Sequence, residues 1–205
     1  MFLISKPTKI QLASLFFFIV LIFGLVAGAY LKVKPLDKLL KDYQRHRVAV
    51  FLDPKLEPTK SGYNVKQAQI TVGSGGIFGQ GLGKGSQSQL RFLPEAHTDF
   101  IFSGIAESFG FLGTTLFLAL YAFFLLSLIR IAHIAKDNFG MLIVVGTASM
   151  FFFQVLISVG MNIGLLPVTG IPLPLLSYGG TSLLVSLFSI GLAQSIYIHH
   201  RKITF

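Results

Sequence analysis

The sequence predicts an all-α membrane protein with four transmembrane helices. Of the 205 residues, 53% are hydrophobic and only 12% are charged, and the mean hydropathy is +0.72, which is not typical of a water-soluble domain. Four uncharged runs are each long enough to cross a bilayer as a helix. They cover about residues 10–31, 108–129, 139–161 and 181–198. Since the chain has no cysteine, disulfides and thiolate metal sites are excluded.

Basic residues in the short segments predict the orientation of these spans. Lys and Arg precede the first run, separate the second from the third and follow the fourth, so these segments and both termini fall in the cytoplasm. The residues are Lys6, Lys9, Arg130, Lys136, Arg201 and Lys202. Residues 32–99 then form a long extracytoplasmic loop that carries the remaining 11 Lys and Arg. A loop outside the membrane does not meet nucleic acid, so membrane lipids or a phosphorylated lipid headgroup are the favoured partners.

The first unusual segment of this outer loop is the glycine loop, Gly73–Gly85, with the sequence GSGGIFGQGLGKG. Seven of its thirteen residues are glycine, which permits positive φ and close backbone approach. No register gives a dinucleotide fingerprint, and the residue after Lys84 is Gly85 where a P-loop needs Ser or Thr. We therefore interpret the segment as a conformationally special loop and Lys84 as a candidate phosphate contact.

Residues 91–108 hold three of the chain's eight acidic residues, where the outer loop leads into an apolar run. They are Glu95, Asp99 and Glu107. If the chain is helical from Asp99 onward, Asp99, Ser103 and Glu107 share one face, which descends into the membrane. Carboxylates are costly at that depth and are therefore candidate functional residues, whereas the alternative for Asp99 is a helix-start residue favoured by the helix dipole. His97 is a weaker candidate, because no second His lies at metal-ligand spacing nearby.

A second outer segment, the Pro/Gly-rich segment (residues 162–180), separates the third and fourth runs. Its sequence, NIGLLPVTGIPLPLLSYGG, is too apolar for an ordinary exposed loop. Irregular backbone at membrane depth is tolerated when it is buried in protein or lines a cavity. This pattern predicts a re-entrant segment in which Ser177 and Tyr178 line a polar pocket next to Asp99, with a tight packed turn as the equally weighted alternative.

Two long motifs in these outer segments resemble the shape, elongation, division and sporulation family of peptidoglycan polymerases, which includes RodA and FtsW. They are GYNVKQAQITVGSGGIFGQGLGKGSQSQLRFLPEAHTDFIFSGIAE and NIGLLPVTGIPLPLLSYGGTSLL. The similarity runs from about Arg47 to the C-terminus, and GSQSQLRFLPE and LLPVTGIPLP look more like the rod-shape-determining branch of cell elongation. The chain resembles only the last four spans of the family's longer members. It departs from their pattern at Ser108, where a second Glu is common.

The resemblance implies an inverting glycosyltransferase of the bacterial plasma membrane, with lipid II, the undecaprenyl-pyrophosphate-linked disaccharide peptide, as its substrate. Asp99 matches the family's essential aspartate and has the implied role of catalytic base. The leaving diphosphate needs positive charge, for which Lys84, Arg91 or a divalent cation such as Mg²⁺ or Mn²⁺ are the candidates, with Asp99 as a possible cation ligand. Glu95, His97, Ser103, Glu107, Ser177 and Tyr178 are the further candidate substrate contacts. A class B penicillin-binding protein is the implied partner.

Two other functions stay open at this point. Intramembrane carboxylates and a broken segment also suit a flippase or transporter for lipid II. The chain is alternatively a noncatalytic fragment that retains the partner-binding surface, because a cavity between two bundles needs both of its walls.

Overall fold

The computed structural model describes residues 42–52, 61–89 and 98–199, and every regular element within these ranges is helical. The helices are α1 (Asp42–Leu52), α2 (Ser61–Ser74), α3 (Ser86–Gln89), α4 (Ile101–Ile134), α5 (Asn138–Asn162) and α6 (Gly180–Ile198). Three of them, α4, α5 and α6, are long and apolar enough to cross a membrane. They correspond to the second, third and fourth predicted spans. The first predicted span, residues 10–31, lies outside the described residues.

The three long helices form a bundle in which α4 packs most extensively against α5. Small residues at the contacts, such as Ala132, Ala148 and Ala193, allow the helix backbones to approach closely, as is usual between helices in membranes. Phe124 of α4 meets Phe151 of α5 edge-to-face, with ring centroids 5.5 Å apart. The buried cluster consists of Leu128, Ala132, Val144, Ala148, Phe151 and Ala193.

The outward faces of these helices are apolar as well. Leu116 and Phe123 of α4 and Phe188 of α6 are among many large hydrophobic side chains that are mostly exposed. Such a surface suits hydrocarbon rather than water, since polar residues face outward on helices of soluble proteins. The described fold is therefore that of a multi-pass helical membrane protein.

The turn between α4 and α5 is short and the start of α5 is capped. Asp137 has extended backbone geometry, and its Oδ2 accepts a hydrogen bond of 3.1 Å from the backbone N–H of Gly140. This contact satisfies one of the N–H groups that a helix start leaves unpaired. The glycine loop and the Pro/Gly-rich segment lie at the opposite end of the bundle, which we call the loop end.

Helix α4 is broken at Gly110, where φ is 68° and ψ is −166°. A short part, residues 101–109, precedes the break and a long part, residues 111–134, follows it. The predicted span beginning at about residue 108 therefore corresponds to the long part. The sequence predicted that one helix face with Asp99, Ser103 and Glu107 descends into the membrane. The break at Gly110 instead separates the short part from the long part. Glycine is needed at the break because other residues rarely adopt this conformation.

Candidate functional site at the loop end

Asp99 lies in the turn that immediately precedes α4, rather than on the helix itself. Residues 98–100 form this turn, and the Asp99 side chain is half-buried. A Cβ atom built on Gly170 would lie 3.4 Å from Oδ2 of Asp99, so the carboxylate lies against this glycine of the Pro/Gly-rich segment. Gly170 has a φ of +73°. The two outer motifs of the sequence thus meet at Asp99.

The side chain of Asn162, at the end of α5, holds the Asp99 turn in position. Its Nδ2 donates to the backbone oxygens of Asp99 (3.1 Å) and Ser158 (2.7 Å). Its Oδ1 accepts from the backbone N–H (3.1 Å) and the hydroxyl (2.6 Å) of Ser103. Ser103 and Asn162 are fully buried. Ser103 therefore joins α4 to α5 within the protein, and sequence reasoning did not identify Asn162.

Ser177 ties the Pro/Gly-rich segment to the same turn. Its hydroxyl donates to the backbone oxygen of Thr98 at 2.7 Å and accepts from the backbone N–H of Leu173 at 2.8 Å. Deeper in the bundle, the Tyr121 hydroxyl donates to the backbone oxygen of Pro174 at 2.7 Å. These bonds satisfy polar groups of a segment whose irregular backbone cannot pair with itself as a helix does.

A cavity of about 450 Å³ opens between this segment and the start of α4. Ile101 lines it on one side and residues 175–180 line it on the other, including Ser177 and the largely exposed Tyr178. Leu175, also in its wall, has a φ of 64°, which is strained for a side chain of this size. Strained backbone of this kind is concentrated at functional sites. Ser177 and Tyr178 thus both line a cavity, while their role in a polar pocket beside Asp99 stays a prediction.

Arg47 of α1 contacts the Pro/Gly-rich segment from the other side. Its Nη1 donates to the backbone oxygens of Val168 at 3.2 Å and Thr169 at 3.1 Å. These carbonyls immediately precede Gly170, the residue against which the Asp99 carboxylate lies. Sequence reasoning did not identify Arg47, because its partners lie more than 120 residues away and no local pattern indicates the contact.

The backbone of the glycine loop forms hydrogen bonds with α4 on both sides of the break. The N–H groups of Gln80 and Gly81 donate to the oxygens of Glu107 (2.9 Å) and Ser108 (3.0 Å). In return, Phe111 and Leu112 donate to loop oxygens of residues 76 and 77, at 2.9 and 3.1 Å. These four bonds pair the four backbone groups that would form two bonds, from residue 111 to 107 and from 112 to 108, in an unbroken helix.

The glycines make this contact possible. A Cβ atom on Gly75 would lie 2.0 Å from the backbone oxygen of Ala106, and one on Gly79 would lie 2.3 Å from that of Ser108. Any side chain at these positions would therefore separate the loop from the helix. Lys84 follows in the chain and is exposed, with its backbone N–H bonded to the oxygen of Gly81 at 3.2 Å.

Glu107 is fully buried at this contact. Its Oε1 accepts a hydrogen bond of 2.8 Å from the backbone N–H of Gln87 at the start of α3. A Cβ atom on Gly85 would lie 2.5 Å from Oε2, so the carboxylate fills the space beside this glycine. Glu107 therefore fastens the end of the glycine loop to α4, whereas the Asp99 carboxylate lies against Gly170.

Three of the predicted site residues, Arg91, Glu95 and His97, lie outside the described residues. Within the described ranges, no group of three or more His, Asp or Glu side chains is arranged to hold a metal ion.

Comparison with known proteins relates this arrangement to a family. Residues 7–202 match the family of cell cycle proteins FtsW, RodA and SpoVE. The peptidoglycan glycosyltransferase MrdB of Escherichia coli K12 is 44% identical over 166 residues, which cover 81% of this chain and 45% of MrdB. The peptidoglycan glycosyltransferase RodA of Treponema pallidum is 45% identical over 159 residues, which cover 78% of this chain and 37% of that protein.

A solved structure is similar in fold as well. It is a chain of a peptidoglycan synthase complex described as coordinating polymerization and crosslinking. The two chains share 35% sequence identity and superpose with a TM-score of 0.66, covering 89% of this chain and 49% of the other.

The fold and the site define a helical membrane protein with a carboxylate at the edge of its apolar bundle, against its Pro/Gly-rich segment. Within that class, the chain belongs to the FtsW, RodA and SpoVE family, which confirms the resemblance carried by its two outer motifs. It spans less than half the length of the two curated relatives, 45% of MrdB and 37% of the RodA.

Proposed function

We propose that this chain polymerises peptidoglycan glycan strands from lipid II in cell elongation, with Asp99 as the catalytic base. The observation that carries the proposal is the position of the Asp99 carboxylate, against Gly170 and next to the cavity at the end of three apolar helices. A polyprenyl-linked substrate keeps its tail in hydrocarbon and its sugars in water, so its reacting atoms lie at such a boundary. The relatives named peptidoglycan glycosyltransferase support this reaction.

In the proposed reaction, the 4-hydroxyl of the acceptor's GlcNAc attacks the anomeric carbon of the donor's MurNAc. The Asp99 carboxylate accepts the hydroxyl proton as the new carbon–oxygen bond forms. The bond from the anomeric carbon to the diphosphate oxygen breaks, the lipid-linked diphosphate leaves with the electron pair, and the anomeric configuration inverts. A positioned general base of this kind contributes about 10²–10⁴-fold to the rate.

Negative charge grows on the leaving diphosphate, so a cation beside it stabilises the transition state. We propose Lys84 and Arg91 for this role, Arg because its planar fork can hold a phosphate with two hydrogen bonds. The exposure of Lys84 at the end of the glycine loop supports its part of the proposal. A divalent cation bound between the diphosphate and Asp99 would supply the same charge.

Arg47 has a positioning role in this proposal. By holding the backbone oxygens of Val168 and Thr169, it fixes the residue pair before Gly170 and hence the surface that faces the Asp99 carboxylate. A base must lie within hydrogen-bond reach of the proton that it accepts, so a shift of this surface would slow the reaction.

The proposal includes the plasma membrane as location, with the loop end outside, and a class B penicillin-binding protein as partner. A similar chain in a synthase complex that coordinates polymerization and crosslinking supports an assembly of this kind. Exposed Phe side chains on α4 and α5, such as Phe123, Phe152 and Phe153, offer an apolar surface for a partner's transmembrane helix.

The test is polymerisation of labelled lipid II by the full chain in lipid vesicles, with and without the partner, comparing wild type with Asp99→Asn. Asp137→Asn is the matched control, since Asn caps a helix start about as well as Asp and Asp137 lies at the other end of the bundle. We expect glycan product from the wild type and the control, and none from Asp99→Asn at equal membrane insertion.

Three outcomes would contradict the proposal. Product from Asp99→Asn at the wild-type rate would remove Asp99 as the base. Transbilayer movement of lipid II without longer glycan would favour the flippase. Absence of product from a folded and inserted wild-type chain, even with its partner, would favour a noncatalytic binding role.

A further inference from the structure

The tip of the glycine loop exposes large apolar side chains. Phe78 is 81% exposed, Leu82 is 74% exposed and Ile77 is 62% exposed. Phe109, Phe111 and Leu112, on both sides of the break in α4, are exposed next to them. We call these six residues the loop–kink patch. A contiguous apolar surface of this kind marks a site of contact with a membrane or with another protein.

The patch is continuous with the outward face of a transmembrane helix. The backbone N–H of Leu112 donates to the oxygen of Ile77 at 3.1 Å, which holds the loop tip at the start of the long part of α4. From Leu112, the exposed side chains of Leu116 and Leu120 continue along one face of α4 at intervals of four residues. Because that face belongs to a helix that is long and apolar enough to span a bilayer, it faces acyl chains, and the loop tip extends the same surface.

Several backbone groups of the loop are paired, which lowers the cost of contact with hydrocarbon, where unpaired N–H and C=O groups are costly. Gln80 and Gly81 donate their N–H groups to oxygens of α4, and Gly79 donates to the oxygen of Gly75 at 2.8 Å. Lys84 follows the apolar tip and is exposed. A Lys next to apolar residues at a membrane boundary extends its amine toward the lipid phosphates.

We infer that the tip of the glycine loop, residues 76–82, is inserted into the hydrocarbon boundary of the bilayer at the loop end of the bundle. The loop–kink patch then contacts the acyl chains of membrane lipids. The glycine loop is then a membrane anchor that holds the C-terminal end of α2 at the lipid surface. This inference does not depend on the polymerase reaction.

Tryptophan fluorescence tests the inference directly, because the chain has no Trp of its own. The full chain is reconstituted in vesicles as the single variant Phe78→Trp and, separately, Leu82→Trp. Lipids brominated near the headgroup end or near the methyl end of the acyl chain are the quenchers. Tyr63→Trp, in the first turn of α2 and about 16 Å from the loop at 1.5 Å per residue, is the control for a site outside the hydrocarbon. Phe123→Trp, in the middle of α4, is the control for a deep site.

We expect blue-shifted emission from Phe78→Trp and Leu82→Trp, with stronger quenching by the shallow bromines than by the deep ones. Phe123→Trp should show the opposite order, and Tyr63→Trp little quenching by either. Water-like emission without quenching at 78 and 82, in chains with the helix content of the wild type, would overturn the inference. Quenching that disappears when a class B penicillin-binding protein is reconstituted with the chain would also overturn it, in favour of a protein contact.

Discussion

The contact between the glycine loop and α4 gives the sharpest prediction, which uses two glycines that are two residues apart. At Gly75, an added Cβ would lie 2.0 Å from the backbone oxygen of Ala106, against an ordinary contact distance of 3.4 Å or more. At Gly73, at the end of α2, the same atom would meet nothing within 4 Å. Gly75→Ala therefore perturbs the contact, whereas Gly73→Ala is its matched control.

The geometry sets the size of the effect. Relieving the clash at Gly75 requires the loop and the helix to separate by more than an ångström, which breaks hydrogen bonds that are now 2.9–3.1 Å long. Four such bonds join the two segments, and together they are worth about 2–6 kcal/mol at 0.5–1.5 kcal/mol each. Since the clash is with backbone atoms, loss of these bonds sets the cost, and we expect Gly75→Ala to destabilise the contact by about 2–6 kcal/mol. Gly73→Ala should stabilise α2 by roughly 0.5–1 kcal/mol.

Amide hydrogen exchange of the full chain in vesicles measures this free energy locally. Peptides that contain residues 76–81 and 107–112 report the four bonds. At tenfold per 1.4 kcal/mol, exchange in Gly75→Ala should be faster by about 30-fold to 10⁴-fold, while Gly73→Ala should leave these peptides unchanged or slower. Equal exchange in Gly75→Ala and the wild type would refute the argument that backbone contact requires glycine. If Gly73→Ala accelerated exchange as much as Gly75→Ala, the clash with the Ala106 oxygen would not be the cause.

Three further predictions concern the Asp99 site. Asn162→Ala leaves the Ser103 hydroxyl and the Asp99 backbone oxygen without this partner, and we expect the unfolding free energy to fall by about 1–3 kcal/mol in detergent titrations. Polymerisation in lipid II assays should be slower as well. Arg47→Ala should lower kcat more than it changes KM, while the exposed Lys66→Ala should change neither, and an effect on KM alone would contradict a positioning role. Lys84→Ala and Arg91→Ala should weaken lipid II binding most at low salt, and unchanged binding would reassign these charges to the membrane surface.

Much of the fold follows from hydropathy. The predicted spans 139–161 and 181–198 end within one residue of α5 and α6, because an apolar run bounded by polar or Pro/Gly-rich segments has few ways to fold in lipid. The run beginning at 108 was harder, since Gly110 lies in an apolar stretch and nothing local shows that the helix breaks there. The break depends on a loop about 30 residues earlier in the chain, which supplies its missing hydrogen bonds.

Candidate site residues could be predicted where they stand out from their sequence neighbours. They could not be predicted where their role depends on tertiary contacts. Asp99 and Ser177 stood out because a carboxylate and an irregular polar turn are unusual beside apolar runs, and the structure brings their segments together. Glu107 stood out for the same reason, yet a buried backbone N–H of Gln87 occupies its carboxylate. Sequence alone could not separate the two, since both are acids next to a membrane. Asn162 gave no signal, because its importance comes from bonds across two helices.

The break at Gly110 also bears on how the chain is assembled in the membrane. A helix with four backbone groups that lack a partner within the helix is poorly suited to enter lipid alone, whereas a straight helix through the same residues would enter easily. The glycine loop precedes α4 in the chain, so it is synthesised before the helix that needs it. The loop that pairs with the break is therefore already made when α4 is synthesised. We expect mutations in the loop to impair the membrane insertion of α4 before they affect any later step.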